Sequence, residues 1–240
     1  MYQQLSAEYR ALCLQTYAAA AKRLEYLLAV NHPTKPAVIL DLDETVFDNS
    51  AFQTFLHREN SEYTDDLWLT YEKSHGAGRA PRSRREKIPG AMRRAGATPV
   101  FLSNRSDANR AETIAALKRL GIDTANIENR LFLKPVYGSS EKATRREAVA
   151  ARYNVVLMIG DNLRDFSESF TAAKLPKEPS VDDVRAEIAR RNTLADGAEC
   201  HWGVDWFVLP NSVYGEWDRL VGPNPQALFR PTTIPSPKTP

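Results

Sequence analysis

Acidic side chains follow directly on an apolar run in the stretch VILDLDETVFDNS. Residues two apart in extended backbone point to the same side, so Asp41 and Asp43 are expected to face one site while Leu42 turns into the core. Two neighbouring carboxylates repel each other unless a proton or a cation lies between them. Because Mg²⁺ prefers oxygen ligands of this kind, the pattern favours a magnesium site.

Two further apolar runs end in polar loops that suit the same chemistry. The run TPVFL leads into Ser103, Asn104 and Arg105, where a hydroxyl, a cation and the N–H groups of a following helix can hold phosphate oxygens. The run VVLMIG leads into Asp161 and Asp165. With the two acids above, four carboxylates in one crevice would be costly without a divalent cation. The three loops together therefore indicate a metal-assisted phosphate site.

Each loop also has an ordinary structural interpretation. DLDET can be a strand end with turn-forming acids, Ser-Asn-Arg-Ser-Asp is good helix-capping chemistry, and Gly-Asp-Asn is a turn signal. A calcium loop of the EF-hand type is excluded, because it needs glycine and glutamate at positions where the chain has Val46 and Phe52.

A positively charged side chain is expected to balance the acids and the phosphate. Lys142 is the first candidate, because it lies near the start of a predicted helix that precedes VVLMIG. Lys134 is the competitor, and any single lysine is more often solvated than functional.

The elements that must position these loops alternate between helical and apolar strand patterns. Helices are predicted after an N-cap at Ser6 up to Asn31, from Asp107 to Leu120, from Ser139 or Ser140 to about Arg152, and over Val181–Arg191. Strands are predicted at Ala37–Leu42, Thr98–Ser103, Leu131–Leu133, Val155–Gly160 and Trp206–Leu209. This alternation predicts an α/β fold, a doubly wound, Rossmann-like parallel sheet with helices on both faces. The three loops then lie beyond the carboxyl ends of strands, where such sheets bind ligands.

The chain is expected to consist of one core with an insert and a tail. Residues 1–36 form an N-terminal helix that packs on the core, and the core itself comprises residues 37–48 and 89–221. Residues 49–88 are polar, carry aromatic side chains and lack strand signals, so they are predicted to be an insert. Residues 222–240 are rich in proline and are predicted to be an extended tail.

Composition excludes several other classes of protein. A formal net charge of +2 over 240 residues is too small to argue for a nucleic-acid partner. No apolar run approaches the length of a transmembrane helix. Cys13 and Cys200 form no C-x-x-C pair and the histidines are scattered, so a zinc site or a redox motif is disfavoured.

The ordered combination of DLDET, SNR, a helix-borne lysine and GDNLRD resembles the haloacid dehalogenase superfamily. Four segments resemble in sequence the class C members of this superfamily, the lipoprotein e acid phosphatase and 5′-nucleotidase group. They are VILDLDETVFDNS, VFLSNR, RREAVAARYNVVLMIGDNLRDF and VLPNSVYGEW. The match covers about residues 5–221. It implies a small helical cap over the site, formed by residues 49–88, and an Mg²⁺-dependent acid phosphatase that hydrolyses phosphate monoesters, with nucleoside 5′-monophosphates as the expected substrates.

The resemblance also implies roles for the acids. Asp41 is the expected nucleophile and forms an aspartyl-phosphate, while Asp43 protonates the leaving group and then activates water. The Asp41 carboxylate, the Asp43 backbone carbonyl and Asp161 are the expected Mg²⁺ ligands, with Asp165 in support.

Roles for the remaining site residues follow from the same resemblance. Ser103 and Asn104 are expected to bind the phosphoryl group, and Lys142 is expected to orient the nucleophile and neutralise charge. Thr45 shapes the turn, and Tyr214 is expected to stack on a nucleotide base.

Relatives are exported, so a periplasmic, outer-membrane-associated or secreted location is expected, and a homodimer is a further expectation. The N-terminus has no hydrophobic stretch, which fits either a cytosolic protein or a mature form.

Two other functions remain open at this point. The same residues can transfer the phosphoryl group to an alcohol instead of water, and a non-enzymatic surface or haem-binding protein can be built on the same scaffold.

The chain also departs from the family pattern, because IPGAMRRAGATPV leaves little room for a helix between Pro89-Gly90 and the second strand.

Overall fold

The computed structural model describes residues 2–75, 88–221 and 228–229. Residues 76–87 of the predicted insert and nearly all of the predicted proline-rich tail therefore lie outside the described residues. Within the described part, no helix is long and apolar enough to span a membrane.

Five parallel strands form the sheet that carries the site. They are β1 (Pro36–Leu40), β2 (Thr98–Ser106), β3 (Leu131–Lys134), β4 (Asn154–Gly160) and β5 (Trp206–Val208). Their order is β3-β2-β1-β4-β5, so Leu40 at the end of β1 lies opposite Phe101 of β2 and Ile159 of β4. The strand order reverses between β1 and β4, which is the point where doubly wound sheets bind ligands. The predicted fold class is confirmed.

Helices connect the strands and flank the sheet. In the described residues they are α1 (Tyr2–Leu5), α2 (Ala7–Asn31), α3 (Ser50–Arg58), α4 (Asp65–His75), α5 (Ile88–Arg94), α6 (Arg110–Arg119), α7 (Ala143–Ala150), α8 (Val181–Gly197) and α9 (Asp218–Val221). Short 3-10 turns occur at Asp107–Asn109, Ile127–Asn129, Leu163–Asp165 and Glu168–Phe170.

Both faces of the sheet are buried, which explains why its strands read as continuous apolar runs. Val38 and Leu40 of β1 belong to the larger core cluster, where α2, α5 and α6 contribute side chains. Ala37 and Ile39 point the other way, into a smaller cluster that Val149 of α7 closes. Strand alternation thus directs neighbouring apolar residues into two cores.

Several predicted boundaries are wrong by a few residues. The helix after β2 is not capped by Asp107: the Ser106 Oγ accepts the hydrogen bond from the Ala108 N–H, because β2 runs three residues further than predicted. Helix α7 begins at Ala143 with Lys142 at its cap position, later than the serines suggested. Helix α8 runs to Gly197 instead of Arg191.

The segment before β2, where the sequence leaves little room for a helix, forms a short one. Helix α5 begins at Ile88, before Pro89, and runs to Arg94. Proline is tolerated in the first turn of a helix because its missing N–H would have no intrahelical partner there. Met92 anchors this short helix in the larger core cluster.

Helices α3 and α4 share a small apolar cluster of their own. Phe52, Leu56 and Tyr71 are its buried members, and the Trp68 ring centroid lies 5.2 Å from that of Phe52. Phe55 of α3 is 44% exposed and is not one of the buried members. The cap boundary at residues 49–88 stays a prediction, since the described residues end at 75 and resume at 88.

A buried acid ties α4 to the loop after β2. The Glu72 Oε2 accepts hydrogen bonds from Asn109 Nδ2 at 2.9 Å and from the Ser106 N–H at 3.4 Å. Its Oε1 is buried and has no hydrogen-bond partner among the described residues. Burial raises the pKa of Glu72, the Asn109 hydrogen bond opposes the shift, and the charge of Asp43 adds to it.

We expect Glu72→Gln to stabilise the protein at neutral pH. Because the pKa of Glu72 is higher in the folded chain, the unfolded chain loses this proton first as the pH rises through about 4.3. Stability is therefore lost between that pH and the raised pKa, and glutamine avoids the loss. Urea unfolding at several pH values should show the variant gaining free energy of unfolding over wild type as the pH rises from about 4 to 7. The exposed Glu62→Gln is the control, and a pH-independent difference for Glu72→Gln would contradict this account.

Candidate active site

Three aspartates from the loops after β1 and β4 converge at the carboxyl edge of the sheet. Asp41, Asp161 and Asp165 each place a carboxylate oxygen within 4.8 Å of the others. The Lys142 Nζ lies 2.6 Å from the Asp41 Oδ1 and 2.6 Å from the Asp165 Oδ1. Lys134, the alternative candidate for this cation, lies at the end of β3. Among the described residues, the lysine that contacts these acids is Lys142.

The electrostatics of the cluster show an excess of negative charge. Burial raises the pKa of Asp41 to about 7, with the Lys142 charge opposing the shift and the Asp165 and Asp43 charges adding to it. Burial, Asp165 and Asp41 likewise raise the pKa of Asp161 well above its ordinary value. Burial alone would lower the pKa of Lys142, but the charges of Asp165 and Asp41 outweigh it and raise it. One ammonium group therefore stabilises only part of the cluster, and a further cation would stabilise the rest.

The polar neighbours of Asp161 and Asp165 hold these carboxylates in place. The Thr45 Oγ1 donates to the Asp161 Oδ1 at 3.2 Å, and the Asn211 Nδ2 donates to its Oδ2 at 2.8 Å. The Asp165 Oδ2 accepts from the Asn162 N–H at 3.0 Å, which forms a capping box over the 3-10 turn. Thr45 thus shapes the site through Asp161, while direct contact with substrate stays a prediction.

Asp43 is held by a buried arginine. The Arg105 Nε and Nη2 both lie 2.8 Å from the Asp43 Oδ1, and the Asn49 Nδ2 donates to the same oxygen at 2.8 Å. The Ser103 Oγ donates to the Asp43 Oδ2 at 3.3 Å. The guanidinium of Arg105 is fully buried, 4.6 Å from the centre of the Phe47 ring. These contacts favour a role in holding Asp43, and direct substrate binding by Arg105 stays an untested prediction.

Arg145 holds Ser103 and Asn104, the two residues that are predicted to bind the phosphoryl group. The Arg145 Nη1 donates to the Ser103 backbone carbonyl at 2.6 Å, and its Nη2 donates to the Asn104 Oδ1 at 2.6 Å. Arg145 was not among the site residues predicted from the sequence. Its spacing from Lys142 could have revealed it, because residues three apart lie on the same side of a helix.

Glu44 is a second residue of the site that was not predicted from the sequence. It is fully buried with a φ of 55°, a left-handed conformation that is uncommon for residues other than glycine. Its carboxylate accepts hydrogen bonds from the Asn49 N–H at 2.8 Å, from the Gln3 Nε2 at 3.3 Å and from the Tyr214 hydroxyl. Burial and the charges of Glu44, Asp161 and Asp43 raise the pKa of Tyr214, so its hydroxyl stays a donor. Tyr214 is therefore linked to the DLDET loop.

Comparison with known proteins identifies the family. Residues 1–217 match the model of the HAD superfamily, subfamily IIIB (acid phosphatase). Among solved structures, the chain is similar to the class C acid phosphatase from Bacillus anthracis, with a TM-score of 0.74 and 29% identity over 92% of this chain and 85% of that chain. A crystal structure of the class C acid phosphatase from the same organism with tungstate bound matches with a TM-score of 0.75 and 28% identity, over 97% of this chain and 88% of that chain.

The chain belongs to the HAD superfamily, subfamily IIIB, the acid phosphatases. The resemblance inferred from its motifs is confirmed, and the protein is a phosphoric monoester hydrolase. The alternative of a non-enzymatic binding protein on the same scaffold is therefore not retained.

We expect Gly160→Ala to damage the acid cluster selectively. A Cβ at Gly160 would lie 2.2 Å from the Asp165 Oδ2 and 2.6 Å from the Asp165 Cβ, so the aspartate must move. Because displacements of about 1 Å in an active site cost about 100-fold in rate, kcat/KM for phosphate-ester hydrolysis should fall at least that much.

The control for this substitution is Gly197→Ala in α8, where an added Cβ meets nothing within 4 Å. This variant should keep wild-type activity. Steady-state kinetics and thermal unfolding would be measured on both proteins. Wild-type kcat/KM in Gly160→Ala would show that the position of Asp165 does not matter.

Proposed function

We propose that the protein is an Mg²⁺-dependent acid phosphatase that hydrolyses phosphate monoesters, nucleoside 5′-monophosphates among them, through an aspartyl-phosphate on Asp41. The observation that carries the proposal is the contact between Asp41 and Lys142 within a cluster of three buried or partly buried aspartates. A nucleophilic carboxylate needs a fixed direction and a cation nearby when an anionic phosphate approaches.

The donor set of the cluster fits a magnesium ion. Three carboxylates that lie within 4.8 Å of one another offer hard oxygen ligands, and burial together with the charges of neighbouring acids raises the pKa values of Asp41 and Asp161. Asp41 and Asp161 would hold the ion with the Asp43 backbone carbonyl, and Asp165 would support them. When bound, Mg²⁺ would supply positive charge to the phosphoryl oxygens.

Three side chains take part in the first chemical step. Lys142 holds the Asp41 Oδ1, so the Asp41 carboxylate keeps one orientation towards the phosphorus. The bond between an Asp41 oxygen and phosphorus forms while the bond from phosphorus to the ester oxygen breaks. Protonated Asp43 gives its proton to the departing oxygen, because an alkoxide is a poor leaving group without one.

The second step releases phosphate and restores the enzyme. Asp43, now ionised, takes a proton from water, and the resulting hydroxide oxygen bonds to phosphorus while the Asp41–phosphorus bond breaks. The pairing of Asp43 with Arg105 at 2.8 Å fits this stage, because a guanidinium stabilises the ionised form. Asn49 and Ser103 add two hydrogen bonds that keep the carboxylate in place.

One feature supports phosphate as the bound group, and another supports a nucleoside as the rest of the substrate. The Bacillus anthracis neighbour has been crystallised with tungstate, an oxyanion. In this chain, the hydroxyl of Tyr214 is engaged by Glu44, which fixes the ring near the DLDET loop. A ring held there can stack on a base, whereas small sugar phosphates offer no such surface.

Location and assembly stay predictions, and the predicted location rests on family resemblance. We propose export to the periplasm, the outer membrane or the medium, and a homodimer. Size-exclusion chromatography with light scattering would test the second proposal.

We expect hydrolysis to require both Mg²⁺ and Asp41. A panel of nucleotides, sugar phosphates and an aryl phosphate, assayed with Mg²⁺ and with chelator, should show activity only with the ion. Asp41→Asn should lose activity by several orders of magnitude, because an amide cannot serve as the nucleophile. Asp196→Asn, an exposed residue of α8, is the control. Equal rates in chelator and in Mg²⁺ would contradict the proposal. If glycerol is added and more phosphorylated glycerol than free phosphate forms, the result would favour transfer to an alcohol over hydrolysis.

Tyr214→Ala should raise KM for nucleoside monophosphates more than for a plain aryl phosphate. Loss of an aromatic–base stack costs about 1–3 kcal/mol. Tyr214→Phe is the matched control, because it keeps the ring and removes the hydrogen bond to Glu44. The phenylalanine variant should lose less of the nucleotide preference than the alanine variant, because it keeps the ring and loses only the hydrogen bond that holds it. Equal changes in KM for both substrates in Tyr214→Ala would rule out stacking.

A further inference from the structure

Arg145 joins two loops of the site without touching the aspartates. It lies in the first turn of α7 and is 9% exposed. Resting on the function proposed above, we propose that Arg145 is a positioning residue for phosphoryl binding, which acts by fixing the side-chain amide of Asn104. Its two hydrogen bonds of 2.6 Å, to the Asn104 Oδ1 and the Ser103 carbonyl, are the observations that carry this inference.

The chemistry of the contact decides which way the amide of Asn104 points. A guanidinium group has only donors, so the atom of Asn104 that faces it must be the acceptor oxygen. The Asn104 Nδ2 must then point elsewhere, with its two donors free of Arg145. Phosphate oxygens need donors, and an amide turned the other way would present an oxygen that repels them. Arg145 thereby selects the amide orientation that binds a phosphoryl group.

The same guanidinium also holds the segment that leads into Lys142. The Arg145 Nη2 donates to the Glu141 carbonyl at 3.0 Å and lies 3.4 Å from the Ser140 carbonyl. One side chain therefore links the loop after β2 to the start of α7, where Lys142 contacts Asp41. A lysine at position 145 could not replace it, because a single ammonium lacks the planar fork that reaches separate acceptors.

A double-mutant cycle between Arg145 and Asn104 tests the inference. The probe is inorganic phosphate as a competitive inhibitor of aryl phosphate hydrolysis by the full chain with Mg²⁺. Arg145→Ala should weaken phosphate binding by about 10–100-fold, as expected when a binding group is misplaced. Arg145→Lys should rescue little of the loss. Asn104→Ala should weaken binding to a similar extent, and the double variant should be little worse than either single variant.

Two controls separate positioning from general damage. Arg152→Ala, which removes a guanidinium 5.6 Å from the Phe132 ring beyond the end of α7, should leave phosphate binding unchanged. The Mg²⁺ concentration that gives half-maximal activity should not rise in the Arg145 variants, because Arg145 makes no hydrogen bond to the described aspartates and its positive charge near Asp41 does not favour a cation there.

Asn104→Asp provides a test that leaves Arg145 intact. It keeps an acceptor for Arg145 but removes the two amide donors, so the variant should stay as stable as wild type and bind phosphate poorly. This variant decides the matter if Arg145→Ala does not fold. Wild-type phosphate binding in Asn104→Asp, or additive losses in the cycle, would overturn the inference. An inactive wild-type protein would instead overturn the proposed function.

Discussion

Repulsion among three aspartate carboxylates is the constraint on which the rest of the site depends. Asp41, Asp161 and Asp165 come from two loops and place oxygens within 4.8 Å of one another. Left alone, such a cluster would disrupt the edge of the sheet, since buried like charges are costly. The Lys142 ammonium, 2.6 Å from two of the three, offsets part of the cost. A site built this way is poised to accept a cation and an anionic phosphate together.

The fold meets this constraint by bringing several loops to one edge of a parallel sheet. Strands β1 and β4 are neighbours at the point where the strand order reverses, so the DLDET and GDNLRD loops meet there. Strand β2 delivers the Ser-Asn-Arg loop from the other side of β1, and α7 delivers Lys142 and Arg145. Arg105, which is fully buried and lies 4.6 Å from the centre of the Phe47 ring, holds the Asp43 carboxylate at the same edge.

Sequence reasoning predicted the fold and the aspartate cluster because both rest on regular rules. Apolar runs alternating with helices specify a parallel sheet, and its carboxyl edge gathers Asp41 and Asp161 whatever the details of packing. It did not predict Glu44, whose left-handed backbone is held by distant donors such as Gln3 and Tyr214 that no local pattern connects. The predicted start of the helix after β2 was wrong for a related reason. Ser106 caps the 3-10 turn at Asp107–Asn109 only because β2 extends as far as Ser106.

The most direct test of the central claim is a calorimetric titration of the protein with Mg²⁺. The account predicts one ion per chain in wild type and in Asp182→Asn, whose side chain is 95% exposed on α8. Asp161→Asn should bind the ion at least about tenfold more weakly, since changes even to groups that only support metal ligands cost 10–100-fold. Equal Mg²⁺ affinity in Asp161→Asn and wild type would contradict the claim that these aspartates converge to hold a cation.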